Sequence, residues 1–225
     1  MASFTGNIMD FLDFVKYVPK IEKEKLLAAQ AHIKMAPRER IAAMEKVNLQ
    51  SVNPKKAAVM ILMYPKNNKT HLVLILRNSY PSVHSSQIAF PGGKVEPTDS
   101  SLQETALRET HEEIGVDPEK IEIIRPFSEI YIPPSNFLVF PFLGISKTEL
   151  TFKPQLDEVA DIIEFSITDF LDEKTVVMKK MNTSYAYDIE VPTFKISDHY
   201  VWGATAMILS EFKEVMKNII SHDIL

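Results

Sequence analysis

The sequence predicts an α/β or α+β layered fold, on three observations. Short apolar segments of strand length follow one another through the middle of the chain. One helix, near residues 100–114, is framed by capping signals, and a second amphipathic helix closes the chain. Strands interleaved with a few helices bury their apolar faces most simply as packed layers.

The elements are justified in chain order. Residues 7–48 read as helices: Ile8, Phe11, Leu12 and Val15 recur at helical spacing, and "EKEKLLAAQAHI" and "PRERIAAMEKV" continue the pattern. Asn53-Pro54 marks a boundary, so residues 1–53 are assigned to an N-terminal helical extension and 54–225 to the main domain. The extension carries no recognisable chemistry. It is expected either to pack over a substrate entrance or to form the face of a homodimer.

"KAAVMILMY" and "HLVLILR" are strands, and the intervening "PKNNK" is a hairpin turn. "SYPSVHSSQIAFPGG" is a loop rich in polar groups. The helix over 100–114 can be capped by Asp99, Ser100 or Ser101, with the cap expected on Asp99, and Gly115 ends it. Ser101 with Glu104 has the spacing of a capping box. Then come "IEIIRPF", "FLVFPFLGI", "ADIIEFSI", "TVVMKK" and "YDIEVPTFKI", all strand-like. In "GATAMILSEFKEVMKNII", Ala204, Ile208, Phe212, Val215 and Ile219 share one helical face.

Composition narrows the function. Of 225 residues, 45% are hydrophobic and 24% charged, which is ordinary for a globular protein with a core. The net charge of −5 shows no basic surplus, so no nucleic-acid partner is expected. There are 0 cysteines, which excludes disulfides, thiolate metal sites and cysteine nucleophiles. Asp10 and Asp13 interrupt the apolar N-terminus, and the apolar run "AAVMILMY" is too short to span a bilayer. A cytoplasmic protein with no membrane partner is expected.

The chemistry concentrates in "PGGKVEPTDSSLQETALRETHEEIGV". On a helical wheel with Glu109 at the origin, Glu113 lies at about 40° and Glu112 at about −60°. The three carboxylates share one sector beside a core face of Ala106, Leu107, Thr110 and Ile114. Like charges at this spacing repel by a few tenths of a kcal/mol per pair. Arg108 relieves part of the repulsion, and a hard divalent cation such as Mg²⁺ would relieve more. Taken alone the three read as readily as a solvated acidic face. The preceding "FPGG" changes the balance, because glycine lets backbone approach a ligand closely. A backbone cradle beside a carboxylate platform suits a diphosphate.

These residues resemble the Nudix box, G-x5-E-x7-R-E-U-x-E-E-x-G-U with U apolar. Arg108, Glu109, Glu112, Glu113, Gly115 and Val116 match, and Thr110 stands where an aliphatic residue is usual. The first half departs: after five intervening residues Gly93 is followed by Asp99, not glutamate, and eight residues rather than seven then separate Asp99 from Arg108. Counting back from Arg108 puts Ser100 and Lys94 at the glutamate and glycine positions. The relaxed box resembles the coenzyme A pyrophosphatase branch of Nudix hydrolases, as do "LVLILRNSYPSVHSSQIAFPGG" and "VPTFKISDHYVWGATAMIL".

The resemblance implies a Nudix α/β/α sandwich with a mixed sheet. It implies Mg²⁺- or Mn²⁺-dependent hydrolysis of a nucleoside-linked diphosphate, with a coenzyme A-like small molecule as partner. ADP-ribose or nucleotide sugars are the alternative substrates, and a non-catalytic nucleotide-binding module is the alternative of another class. Glu109, Glu112 and Glu113 would hold metal, with Arg108 orienting them. Glu158 would face the metals and activate water; Arg77, His84, Gln87, Gly92 and Gly93 would contact substrate. Trp202, with Phe194 and Tyr200, is a candidate to stack on adenine, or else a core residue.

Overall fold

The structure, a computed structural model, describes residues 10–44, 47–78, 87–184 and 186–222. Helix α1 (Phe11–Lys23), α2 (Ala29–His32), a short 3-10 turn, α3 (Arg38–Met44) and α4 (Leu49–Val52) form the N-terminal extension. The sheet strands follow: β1 (Lys55–Lys66), β2 (Lys69–Arg77), β3 (Ile88–Ala89) and β4 (Gly92–Lys94). Helix α5 (Leu102–Ile114) leads to β5 (Glu122–Pro126), β6 (Ile130–Ile132), β7 (Phe137–Ile145) and β8 (Val159–Ser166). Helix α6 (Ile167–Leu171) precedes β9 (Val176–Met181), β10 (Ile189–Ile196) and β11 (His199–Val201), and α7 (Gly203–His222) closes the chain.

The main sheet is mixed. Its path runs β3-β2-β1-β7-β5, with β4 beside β1, β6 beside β7 and β8 beside β2. β1 and β7 run parallel from Lys55↔Phe137 to Met63↔Ile145, and the remaining pairs are antiparallel. Strands β9 to β11 form a separate antiparallel sheet. The β1–β2 hairpin turns on Asn67 and Asn68, whose φ values of 51° and 64° are ones asparagine tolerates better than most residues.

The apolar run of β1 is continuous because both of its faces are covered. Ala58, Met60, Leu62 and Tyr64 pack with Ala106, Ile114 and Val116 on the α5 side. Ala57, Ile61 and Met63 pack with Ile208, Phe212, Val215 and Ile219 of α7. This is the expected α/β/α sandwich. Strand alternation sends successive side chains to opposite layers. The extension shares the α7-side core through Phe11, Phe14, Ile21 and Met35.

The extension is fastened at several points. Ala28 and Ser128 donate backbone N–H groups to buried Glu211 of α7 at 2.6 and 3.0 Å, and the Ser128 hydroxyl adds a third bond at 2.7 Å. His32 Nε2 lies 3.6 Å from the same carboxylate. Burial alone would raise the Glu211 carboxyl, but its donors outweigh that and hold it below the usual range. Arg125 donates to the carbonyls of Ile21 and Glu24. Among the described residues, no helix is long and apolar enough to cross a membrane.

Candidate active site

Helix α5 is fixed at both ends by its own sequence. Ser101 is its N-cap and accepts from Glu104 N–H at 3.1 Å. The Glu104 carboxylate reaches back to Ser100 N–H at 2.6 Å, one residue beyond the reciprocal partner of a standard capping box. Gly115 ends the helix at φ 71°, where a Cβ would also meet Lys153 at 2.8 Å. Thr110, at the position usually aliphatic, is buried and donates its hydroxyl to Ala106 O at 2.6 Å. Its polarity is therefore satisfied within the helix.

The expected cap on Asp99 is corrected. Its side chain is 2% exposed and receives Arg108 Nε at 2.8 Å and Nη2 at 3.0 Å. Thr105 Oγ1 and Glu96 N–H also donate to it at 2.8 Å. These donors, Arg108 first, hold the Asp99 carboxyl well below its usual range and the Arg108 guanidinium above its own. Arg108 then spends Nη1 on Glu109 at 3.0 Å and Glu112 at 2.9 Å, and Nη2 on Lys94 O at 3.1 Å. One guanidinium thus ties the loop before the helix to two of the three glutamates.

The third glutamate is held separately. Glu113 is 1% exposed and accepts from Gly92 N–H at 2.8 Å and from Arg77 Nη1 at 3.0 Å. Burial pushes its carboxyl up to about 7, despite the opposing pull of Arg77 and Gly92. Burial also raises the Glu109 carboxyl, and Arg108 counters only part of that. Glu109 sits against Gly93 so closely that a Cβ there would lie 2.4 Å from its carboxyl carbon. The two glycines of "FPGG" thus meet different neighbours: a Cβ on Gly93 would displace the Glu109 carboxylate, and one on Gly92 would strike the β1 backbone at Ala58 and Val59.

Glu158 is exposed, on the segment before β8. That segment is strapped to α5 through Gln155 N–H to Glu113 O at 2.9 Å, and Asn78 N–H donates to Glu158 O at 2.9 Å. Its charge is near enough to raise both Glu109 and Glu113. Gln87 lies beside Arg77, whose N–H donates to Gln87 O at 3.0 Å. His84 falls outside the described residues. His111 is exposed, 3.2 Å from Val116 O.

A cavity of about 390 Å³ adjoins this face, lined in part by Arg77, Gln87, Gly92 and Gly93. Trp202 lines it too, whereas Phe194 is buried in the core and Tyr200 packs under Lys179 at 3.5 Å. The suggested aromatic trio is thus not assembled. Pro37 and Arg40 of the N-terminal segment also line the cavity; the sequence allows this segment over a substrate entrance but singles out neither residue.

The arrangement gathers carboxylates, two arginines and glycine backbone beside one cavity. A NUDIX domain model matches residues 54–184, and the chain belongs to the Nudix family. It is 32% identical over 177 residues to "Uncharacterized Nudix hydrolase NudL" of Enterobacter sp. (strain 638), covering 74% of this chain and 85% of that one. The protein of the same name from Citrobacter koseri is 31% identical over the same shares. Among solved structures, a Nudix hydrolase from M. Smegmatis, RenU, aligns at TM-score 0.49 and 16% identity over 74% of this chain and 88% of that chain. The C. elegans Ap4A hydrolase binary complex aligns at TM-score 0.48 and 17% identity over 73% and 98%. The protein is a Nudix hydrolase acting on diphosphate bonds of nucleoside-linked substrates.

Proposed function

We propose that the protein hydrolyses coenzyme A or its acyl thioesters to 4′-phosphopantetheine, or the acylated form, and adenosine 3′,5′-bisphosphate. The observation that carries the diphosphatase part is the buried Glu113, held between Arg77 and the Gly92 amide, two residues that line a cavity. The substrate branch is supported by the resemblance of residues 72–93 and 191–209 to the coenzyme A pyrophosphatases. We also assign residues 1–53 as the extension, 54–225 as the hydrolase domain, and the reaction to the cytoplasm.

The donor set fits Mg²⁺ or Mn²⁺, which prefer carboxylate oxygens. Among the described residues no three acidic side chains surround one point. Arg77 holds Glu113, while Arg108 holds Glu109 and Glu112. Glu109 and Glu113 would be the principal ligands, with Glu112 the third. A bound divalent ion would neutralise the diphosphate and lower the pKa of a coordinated water. Arg77, which pairs with Glu113 and lines the cavity, would offer phosphate a charge-assisted bond. The Gly92-Gly93 backbone lets the diphosphate approach, and Gln87 and His84 are assigned to substrate. Arg108 keeps Glu109 and Glu112 oriented, and Glu158 is assigned to accept the proton of the attacking water.

The test is product analysis with coenzyme A and Mg²⁺ or Mn²⁺, with an EDTA control and ADP-ribose in parallel. Adenosine 3′,5′-bisphosphate that disappears with EDTA is the expected result. Cleavage of ADP-ribose alone would retain the chemistry and reject the substrate. Glu113→Gln is expected to lose metal-dependent turnover while staying folded, and a variant of normal activity would overturn its assignment.

A further inference from the structure

The cavity beside Gly92 and Gly93 runs against the charge balance of the chain. The protein carries a net charge of −5, yet the charged side chains lining this space are Arg40, Arg77 and Lys94. Among the described residues no aspartate or glutamate joins them in the lining. A concave space lined by one sign of charge concentrates ions of the other. Gln87, Ser135 and Ser184 add neutral polar groups to the same walls. Arg77 is already paired with Glu113 at 3.0 Å, on the side of the acidic face.

The strand register sets the other two cations apart. Lys94 pairs with Ala57, Ala57 with Val139, and Val139 with Ile130. One row of residues thus crosses β4, β1, β7 and β6, three strand spacings or about 14 Å. Lys94 stands at the end next to Gly93, with its carbonyl accepting from Arg108 Nη2 at 3.1 Å. Arg40 reaches the opposite end, where its Nη2 donates at 2.7 Å to the carbonyl of Tyr131, the residue after Ile130. Tyr131 is held in turn by its hydroxyl, which donates to Asn136 Oδ1 at 2.9 Å. Arg40 is 4% exposed, so the cavity is the way by which a ligand would meet it. A diphosphate alone is too short to lie against Gly93 and Arg40 together. Arg40 also lies outside residues 54–184, so its charge is an addition to the matched domain.

We propose that Arg40 is a specificity-determining residue: carried by the N-terminal extension, it supplies the far end of the cavity with an anion subsite for a phosphomonoester that the substrate bears apart from its diphosphate. This rests on the diphosphatase reading and adds the second anionic group that the site selects. In the proposed substrate that group is the 3′-phosphate. A guanidinium held in one direction suits it, because its planar fork matches phosphate oxygens.

The test uses the full chain with coenzyme A and with the same coenzyme lacking its 3′-phosphate, and kcat/KM is measured with Mg²⁺. Binding of adenosine 3′,5′-bisphosphate and of adenosine 5′-phosphate is measured separately in EDTA by tryptophan emission. The chain has 1 tryptophan, and Trp202 lines the cavity. The 3′-phosphorylated member of each pair is expected to be favoured about tenfold or more, in kcat/KM and in Kd, as a hydrogen bond to a charged group allows. Arg40→Gln is expected to bring both ratios below about threefold, whatever it does to the two rates together. A residue that merely pins the extension would lower both rates and keep the ratios. If melting shows that Arg40→Gln does not fold, Arg40→Lys keeps the charge without the fork and is expected to cut each ratio about threefold or more. Ratios near one in the wild type, or unchanged in a folded Arg40 variant, would overturn the subsite, and metal-dependent cleavage of both coenzymes would then leave the diphosphatase reading standing. A bisphosphate preference that is lost with Arg40, without cleavage of either coenzyme, would uphold the subsite and reject the coenzyme A diphosphatase reading.

Discussion

Alanine at Gly93 should damage catalysis and spare the fold, while alanine at the adjacent Gly92 should damage the fold itself. A Cβ on Gly93 would lie 2.4 Å from both Cδ and Oε2 of Glu109 and 2.5 Å from Oε1. Those atoms must retreat by about 1 Å to regain ordinary contact, and they end a flexible side chain. The stability cost is therefore about 1 kcal/mol or less. The displaced carboxylate loses its 3.0 Å bond to Arg108 and its place on the acidic face. A misplacement of about 1 Å in a catalytic group can lower kcat by about 100-fold.

Gly92 has a different neighbourhood. Its Cβ would meet backbone, Ala58 O at 2.4 Å and Val59 Cα at 2.6 Å, at a φ of +150°. Backbone of a central strand cannot step aside, so Gly92→Ala is expected to cost about 3–5 kcal/mol. Urea unfolding and steady-state kinetics on both variants give the comparison. Gly93→Ala with normal kcat, or with a stability loss matching that of Gly92→Ala, would refute the reasoning.

Three further outcomes are expected. Asp99→Asn should lower stability by about 2 kcal/mol, since it weakens a charged bidentate pair. The Asp99 carboxyl titrates below its ordinary range when folded, so this advantage over the variant is full above about pH 4 and shrinks as the pH falls further, as acid unfolding will show. Glu211→Ala should cost about 3 kcal/mol, because it strands the buried donors of Ala28 and Ser128; hydrogen exchange should then show faster opening around residues 28–32. Lys213 is 3% exposed and burial pulls its ammonium down to about 8 from 10.5. The unfolded chain then binds more protons between those values, so stability rises with pH across that window. Relative to Lys213→Met, the wild type should gain at most about 3 kcal/mol between pH 8 and 10.5, and parallel curves would contradict this.

Much of the fold was legible locally. β7 spans Phe137–Ile145 and α7 starts at Gly203, as the apolar patterns require, because burial imposes its own period on a sequence. The hairpin at Asn67-Asn68 was legible for the same kind of reason, since few residues tolerate its backbone. Strands β3, β4, β6 and β11, with two or three residues each, were not. Elements that short carry no periodicity and exist because a neighbouring strand offers hydrogen bonds.

By itself the sequence determined the acidic face of α5, the glycines before it and the family these define, because those features lie within 26 consecutive residues. Only the tertiary structure decided how the charges divide. Asp99 is drawn from the helix cap to Arg108, and Glu113 is buried against Arg77, 36 residues earlier in the chain. It also placed Arg40 and Trp202 around one cavity. Contacts between distant segments depend on how whole layers pack, and no local spacing records that.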